Sequence, residues 1–216
     1  MTYTELVAKL QLWWESDETA FVAEIDTFIE HGEKRIYRDI DLLTTRNEDT
    51  TIVITEAVGS VSLPSTLIVL QNVAYQNGTT RTLLTQKDES FLMDYAPDYS
   101  VEGIPRYYSF KDQDTIWLAP TPNATAATGT IRLSYTARPA QLASGNTTTW
   151  LSLNAPDLLF YSCMLDVLTF MKAEQDTVAD YMSKYAQARE GVKIEDNMRN
   201  RSDEYRKGEF SMMGAQ

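Results

Sequence analysis

His31 is the only histidine and Cys163 the only cysteine in this chain of 216 residues. A nucleophilic triad needs a base beside its nucleophile. His31 stands one residue from Gly32 in an acid-rich helical stretch and reads as a surface residue, and no Gly-x-Ser-x-Gly elbow surrounds any serine. One thiol makes neither an intramolecular disulfide nor a Cys-rich zinc site. Asp39 with Asp41, and Asp112 with Asp114, are close carboxylate pairs that could bind a divalent cation. Neither has the glycine and terminal glutamate of an EF-hand loop, and the second falls in the polar turn Lys111–Asp114. Both pairs read as solvated turns. There is no P-loop, no Gly-x-Gly-x-x-Gly and no Cys-x-x-Cys. The reading is of a chain with no catalytic residue, no metal ligand set and no cofactor, hence not an enzyme.

The elements that position side chains must then carry the function. Apolar residues make up 43% and charged residues 23% of the chain, ordinary for a soluble globular protein with a sizeable core. The net charge of -12 excludes the broad basic face of a DNA reader. Lys9 alone precedes Trp13, and two carboxylates fall by Glu15, so no signal-peptide profile is built. The most apolar stretch, Leu158 to Met171, contains Asp166 and falls short of the roughly 20 residues a spanning helix needs. It reads as a core helix. Asn-x-Thr triplets at Asn77, Asn123 and Asn146, and Asn-x-Ser at Asn200, read as chance matches in polar turns.

Residues 2–45 predict two helices. Thr2 with Glu5 fits a capping box, followed by Leu6, Leu10 and Trp13 or Trp14 at helical spacing. That helix should end near Glu15. Ser16, Asp17 and Glu18 then supply a cap and first-turn acids for a second helix, whose apolar stripe runs Phe21, Val22, Ile25, Phe28, Ile29, Ile36, Ile40. Gly32 lies on that stripe, which suggests close approach of another backbone; the alternative is a tolerated defect. Residues 51–140 change to period two: Ile52 and Ile54, Val61 and Leu63, Val73 and Tyr75, Ile116 and Leu118, then Ile131, Leu133 and Tyr135. Asn77-Gly78 predicts a hairpin with both turn residues at positive φ. Gln86 to Tyr95 suggests a short helix ended by Pro97.

Helix returns over residues 154–198. Pro156 suits a first helical position, and Leu158, Leu159, Ser162, Leu165, Asp166 and Thr169 define a helix buried nearly all round. A further helix from about Asp176 carries Val178, Tyr181, Tyr185, Ala188 and Val192. The fold class expected is α+β: a four-helix bundle formed by the N- and C-terminal helices, an inserted antiparallel β domain, and an extended C-terminal arm over 199–216. The last 28 residues hold six basic and six acidic side chains, so this segment is basic relative to the rest. Phe210, Met212 and Met213 stand there without a pattern that would bury them, which suits a docking arm; the alternative is a frayed terminus with no role. Trp13 and Trp14 point about 100° apart on a helix, so one of the pair should meet a loop or a neighbouring subunit.

Three segments together resemble the adaptor proteins that join the portal of a tailed bacteriophage head to its tail. The first is Tyr3-Thr4-Glu5-Leu6-Val7, with Phe21-Val22 and Phe28-Ile29-Glu30-His31-Gly32-Glu33-Lys34-Arg35-Ile36. The second is Gly103-Ile104-Pro105-Arg106-Tyr107-Tyr108, Ile116-Trp117-Leu118-Ala119-Pro120-Thr121-Pro122 and Ile131 to Pro139. The third is Trp150-Leu151 to Leu159. The likeness covers roughly residues 2 to 190, and its motifs are structural.

The resemblance implies a non-catalytic virion component made in the host cytoplasm and placed at the head-tail junction. Such a protein forms a homo-oligomeric ring, usually of twelve subunits, with the portal protein on one side and a tail or nozzle protein on the other. It has no membrane partner. Its C-terminal arm would bind portal, with Arg199, Arg201, Tyr205, Phe210, Met212 and Met213 as candidate contacts. Trp13, Trp14, Arg106 and Arg138 are candidates for the subunit interface; for the two arginines, each beside a proline, the alternative is an ordinary solvated charge at a turn. An acidic wall around a DNA conduit repels phosphate, so passing DNA should be contacted weakly or not at all. Two other classes compete: a receptor- or carbohydrate-binding virion module, from the tyrosine- and threonine-rich strands, and a glycan hydrolase using a carboxylate pair.

Overall fold

The computed structural model describes residues 1–16, 18–98 and 100–213, with side chains through Met198. Its elements in chain order are α1 (Tyr3–Trp14), α2 (Thr19–Asp39), β1 (Arg46–Val53), β2 (Ser60–Ser62), β3 (Leu67–Asn77), β4 (Thr80–Leu83) and β5 (Thr85–Gln86). There follow α3 (Glu89–Tyr95), β6 (Glu102–Gly103), β7 (Tyr107–Asp112), β8 (Thr115–Ala119), β9 (Thr121–Pro122), β10 (Thr130–Ala137), α4 (Trp150–Asn154), α5 (Pro156–Phe170) and α6 (Gln175–Met213). The protein is α+β. It divides into two compact units, one made of Met1–Thr44 and Ala140–Gln216, the other of Thr45–Pro139.

In the helical unit, α1 begins with the reciprocal cap that Thr2 and Glu5 predict: the Thr2 hydroxyl accepts from the Glu5 amide at 3.3 Å and the Glu5 carboxylate from the Thr2 amide at 2.8 Å. It ends as Glu15 turns left-handed at φ 49°. The cap of α2 differs from expectation. Glu18 occupies the capping position without a side-chain hydrogen bond and the first helical turn holds no acid, while Asp17 lies outside the described residues. Packing of Phe21, Ile25, Phe28, Ile29 and Ile36 against the core anchors α2 instead.

Pro156 opens α5, where its missing amide leaves no partner wanting. Leu158, Leu159, Cys163, Met164, Val167 and Leu168 are buried, so α5 is covered on most sides, by α1, α2, α4 and α6. It closes in a Schellman motif: the Ala173 amide donates to Leu168 at 2.9 Å, the Lys172 amide to Thr169 at 3.3 Å, and Lys172 takes φ 53°. The helix α6 corrects the expected stop at Met198. Its backbone is helical through Met213, because the sequence from Arg199 is rich in helix formers and contains no proline, and one glycine costs only about 1 kcal/mol. The expected extended arm is therefore helix over 199–213.

In the β unit one sheet runs β1-β10-β3-β4 and a second β2-β8-β7-β5, with a separate β6-β9 pair. Most pairings are antiparallel; the short β5·β7 and β6·β9 pairs are parallel. Ile131, Leu133, Tyr135 and Ala137 alternate inward along β10 and share one core with Val73 and Tyr75 of β3 and with Ile116 and Leu118 of β8. The hairpin turn is shifted from expectation. Asn77 pairs with Thr80, so the two-residue loop is Gly78-Thr79, and only Gly78 has positive φ, at 57°. A glycine first in the loop satisfies a type II′ turn, which spares Asn77 the left-handed region.

Candidate interaction surfaces

The tightest seam of the helical unit joins α2 to α5. A Cβ on Gly32 would lie 2.9 Å from Cys163 Sγ and 3.1 Å from the Cys163 backbone nitrogen, so the glycine serves close backbone approach and is not a tolerated defect. Ser162 Oγ donates to the Gly32 carbonyl at 2.9 Å, and Arg35 donates to the Ser162 carbonyl at 2.8 Å and to Asp166 at 2.5 Å. Burial, reinforced by the charges of Glu33 and Asp166, pushes the Cys163 thiol far up, which removes it from thiolate chemistry.

Glu33, one residue on, is buried on the same helix. Its carboxylate accepts from the Leu142 amide at 3.0 Å and from the Thr149 hydroxyl at 3.2 Å. Burial raises its carboxyl above the ordinary 4.5, and those two hydrogen bonds oppose the rise. The carboxylate thereby ties α2 to the segment preceding α4. Sequence reasoning passed over Glu33, although its place four residues after Ile29 put it beside the apolar stripe.

Asp39 accepts from the Tyr185 hydroxyl at 2.8 Å and from Arg189 at 3.4 Å, tying the end of α2 to α6. Burial raises the Tyr185 phenol, and its bond to Asp39 raises it further. Asp39 thus has a structural task. In the other carboxylate pair, Asp112 accepts from the Asp114 amide at 2.9 Å within the β7–β8 turn. His31 is exposed at a cleft shared with Lys34, Arg35 and Arg38.

The two tryptophans diverge as their spacing requires. Trp14 packs against the core, whereas Trp13 is 57% exposed and leans edge-on against Phe160 at 5.4 Å. Arg106 and Arg138 are exposed in the β unit, their amides donating to Ala119 and Thr66 at 2.9 and 2.7 Å. Trp13 and Trp14 thus belong to the helical unit, and Arg106 and Arg138 to the β unit. The side chains of Arg199, Arg201, Tyr205, Phe210, Met212 and Met213 lie outside the described residues. Before them, α6 packs on the core through Val178, Tyr181, Tyr185, Ala188 and Val192. Ile194 and Met198, farther along, are exposed.

In the β unit Phe91, Tyr95 and Tyr107 form a cluster with centroids 4.9 to 5.9 Å apart, and Lys87 lies 5.1 Å over Phe91. The rings spend faces and edges on one another. Beside them an apolar pocket of about 160 Å³ opens between α3 and the sheet, lined among others by Leu92, Met93, Ala96 and Trp117. No motif in the sequence announced it, because the lining residues come from separate elements.

No described helix is long and apolar enough to cross a membrane. No curated protein matches the sequence. The family model described as SU10 adaptor protein matches residues 1–208, nearly the whole chain, taking in every element just described except the last residues of α6. The chain therefore belongs to the SU10 adaptor protein family, in line with the phage head-to-tail adaptors that its opening helices and its strand segments resemble.

Proposed function

We propose that copies of this chain form a ring, twelve in number, that joins the portal to the tail and continues the DNA channel. The helices α1, α2, α5 and α6 act in it as a four-helix bundle, with the β unit as an insertion. The observation that carries the reading is α6: its 39 residues span about 58 Å at 1.5 Å per residue, while its apolar packing on the core ends at Val192 among the described residues. A helix whose backbone continues to Met213, with Met198 66% exposed, suits an arm that becomes buried on a partner. Portal is that partner, and Phe210, Met212 and Met213 are its anchors.

Ring contacts are head-to-tail and need two different faces per subunit; Trp13 belongs to one, and Arg106 and Arg138 pair with acids of the adjacent subunit. The negative net charge keeps the conduit wall from holding the duplex. The experiment is to mix the protein with portal complexes and image the product. A chain ending at Met198 keeps the residues of α6 that pack on the core among those described, Val178 to Val192, and should fold with an unchanged melting temperature yet lose attachment. Attachment as strong as that of the full chain refutes the arm.

A further inference from the structure

We propose that the pocket of the β unit is a docking site for a basic polypeptide segment that inserts one large apolar side chain. The inference stands apart from the ring reading. Three observations converge on it. The first is size and lining: about 160 Å³, walled by Leu92 and Met93 of α3, by Ala96 just after it and by Trp117 of β8. An apolar void of roughly 150 Å³ holds a benzene-sized ring, so a single phenylalanine, leucine or methionine fills the space. Met93, half-exposed at the mouth, is an adaptable lip for such a guest.

The second is an adjoining strand edge. Gly59 and Ser60 line the pocket, and Ser60 begins β2, the outermost strand of its sheet, whose outer edge pairs with no described strand. An extended segment laid along β2 gains main-chain hydrogen bonds while its side chain enters the pocket, the usual division of labour in strand addition. A small apolar molecule would leave that edge unused.

The third is charge. The segment Asp88 to Glu102, which includes α3, holds five carboxylates and no cation. Glu102 pairs in register with Thr121, itself a wall of the pocket, and Glu56 lies three residues before Gly59. Glu56, Asp94 and Glu102 are exposed, and none has a side-chain partner among the described residues. The nearby cations are Lys111, 5.4 Å from the Trp117 ring, Lys87 over Phe91, and Arg106. Acids outnumber them, which favours a basic polypeptide and disfavours nucleic acid.

The test is a titration of the full chain with a short peptide carrying one phenylalanine flanked by lysines and threonines, followed by the indole N–H resonance of Trp117. That resonance should shift saturably, and binding should weaken as salt rises. Replacing the phenylalanine by alanine, or the lysines by glutamates, should weaken binding at least tenfold. Ala96→Trp, which fills the pocket, should abolish it. Should Ala96→Trp fail to fold, the exposed pair Asp94→Lys and Glu102→Lys leaves the core intact and should also cost tenfold or more. Equal binding of the phenylalanine and alanine peptides, a preference for the glutamate peptide, or no shift at millimolar peptide overturns the proposal. An oligonucleotide that shifts Trp117 more strongly than the lysine peptide overturns it as well.

Discussion

Replacing Gly32 by alanine sets two effects of opposite sign against each other. At an open helix position the change gains about 1 kcal/mol through propensity alone. Here the new Cβ would stand 2.9 Å from Cys163 Sγ, 3.1 Å from the Cys163 nitrogen and 3.4 Å from its Cα. The sulfur belongs to a side chain, but it is fully buried, and the nitrogen belongs to the backbone of α5. Neither gives way without moving a helix that Ser162 Oγ and Arg35 hold in place. Overpacking of this kind costs about 1–3 kcal/mol, so the gain is at best cancelled and the net expectation is a loss of up to about 2 kcal/mol. In a chain of this size that lowers the melting temperature by about 2–4 °C per kcal/mol.

The assay is urea unfolding followed by circular dichroism at 222 nm, which reports mainly on helix. Cys163→Ala removes the sulfur and leaves the backbone contact, so the double variant should recover part of the loss, with a coupling of about 0.5–1.5 kcal/mol. Gly32→Val should be worse than Gly32→Ala, since it adds two methyl groups to the same seam. A Gly32→Ala variant more stable than the parent would refute the close approach, because only an unobstructed helix position gains from the change.

Other expectations concern Glu33 and Lys172. Burial raises the Glu33 carboxyl above 4.5, so its stabilising contribution is complete below the unfolded-state value and is lost as pH rises through the folded one. Glu33→Gln mimics the protonated form, its oxygen accepting from the Leu142 amide and its amide donating to Thr149; it should exceed the parent in stability at pH 7, and the gap should narrow on titration to pH 4. A gap constant with pH refutes this, while Glu33→Ala, which orphans the Leu142 amide, should cost about 1–3 kcal/mol at both pH values. Lys172→Gly should stabilise the end of α5 by about 0.5–1 kcal/mol, since only glycine takes φ 53° freely; a lower denaturation midpoint would contradict it.

Much of the local structure was legible in the sequence because it is set by neighbours in the chain. The Thr2–Glu5 cap, the Pro156 start and the inward alternation of β10 each need only residues a few positions apart. The turn between β3 and β4 was missed by one residue, because Asn77-Gly78 is a sound turn signal and strand register decides which pair becomes the loop. The continuation of α6 differs for another reason: the segment lacks an apolar pattern, yet it is rich in helix formers and its backbone stays helical.

Residue types and their spacing therefore determined which segments became helix or strand, because propensity, capping and periodicity act within a turn or two of chain. They also determined the acidic balance and the want of a catalytic motif. Tertiary structure alone decided that β10 lies between β1 and β3, that Gly32 meets Cys163, that Glu33 is spent on Leu142 and Thr149, and that α3 and β8 wall a pocket. Each of those depends on residues tens of positions apart, brought together by burial, and burial in apolar surroundings is non-directional: it drives association without naming the partner.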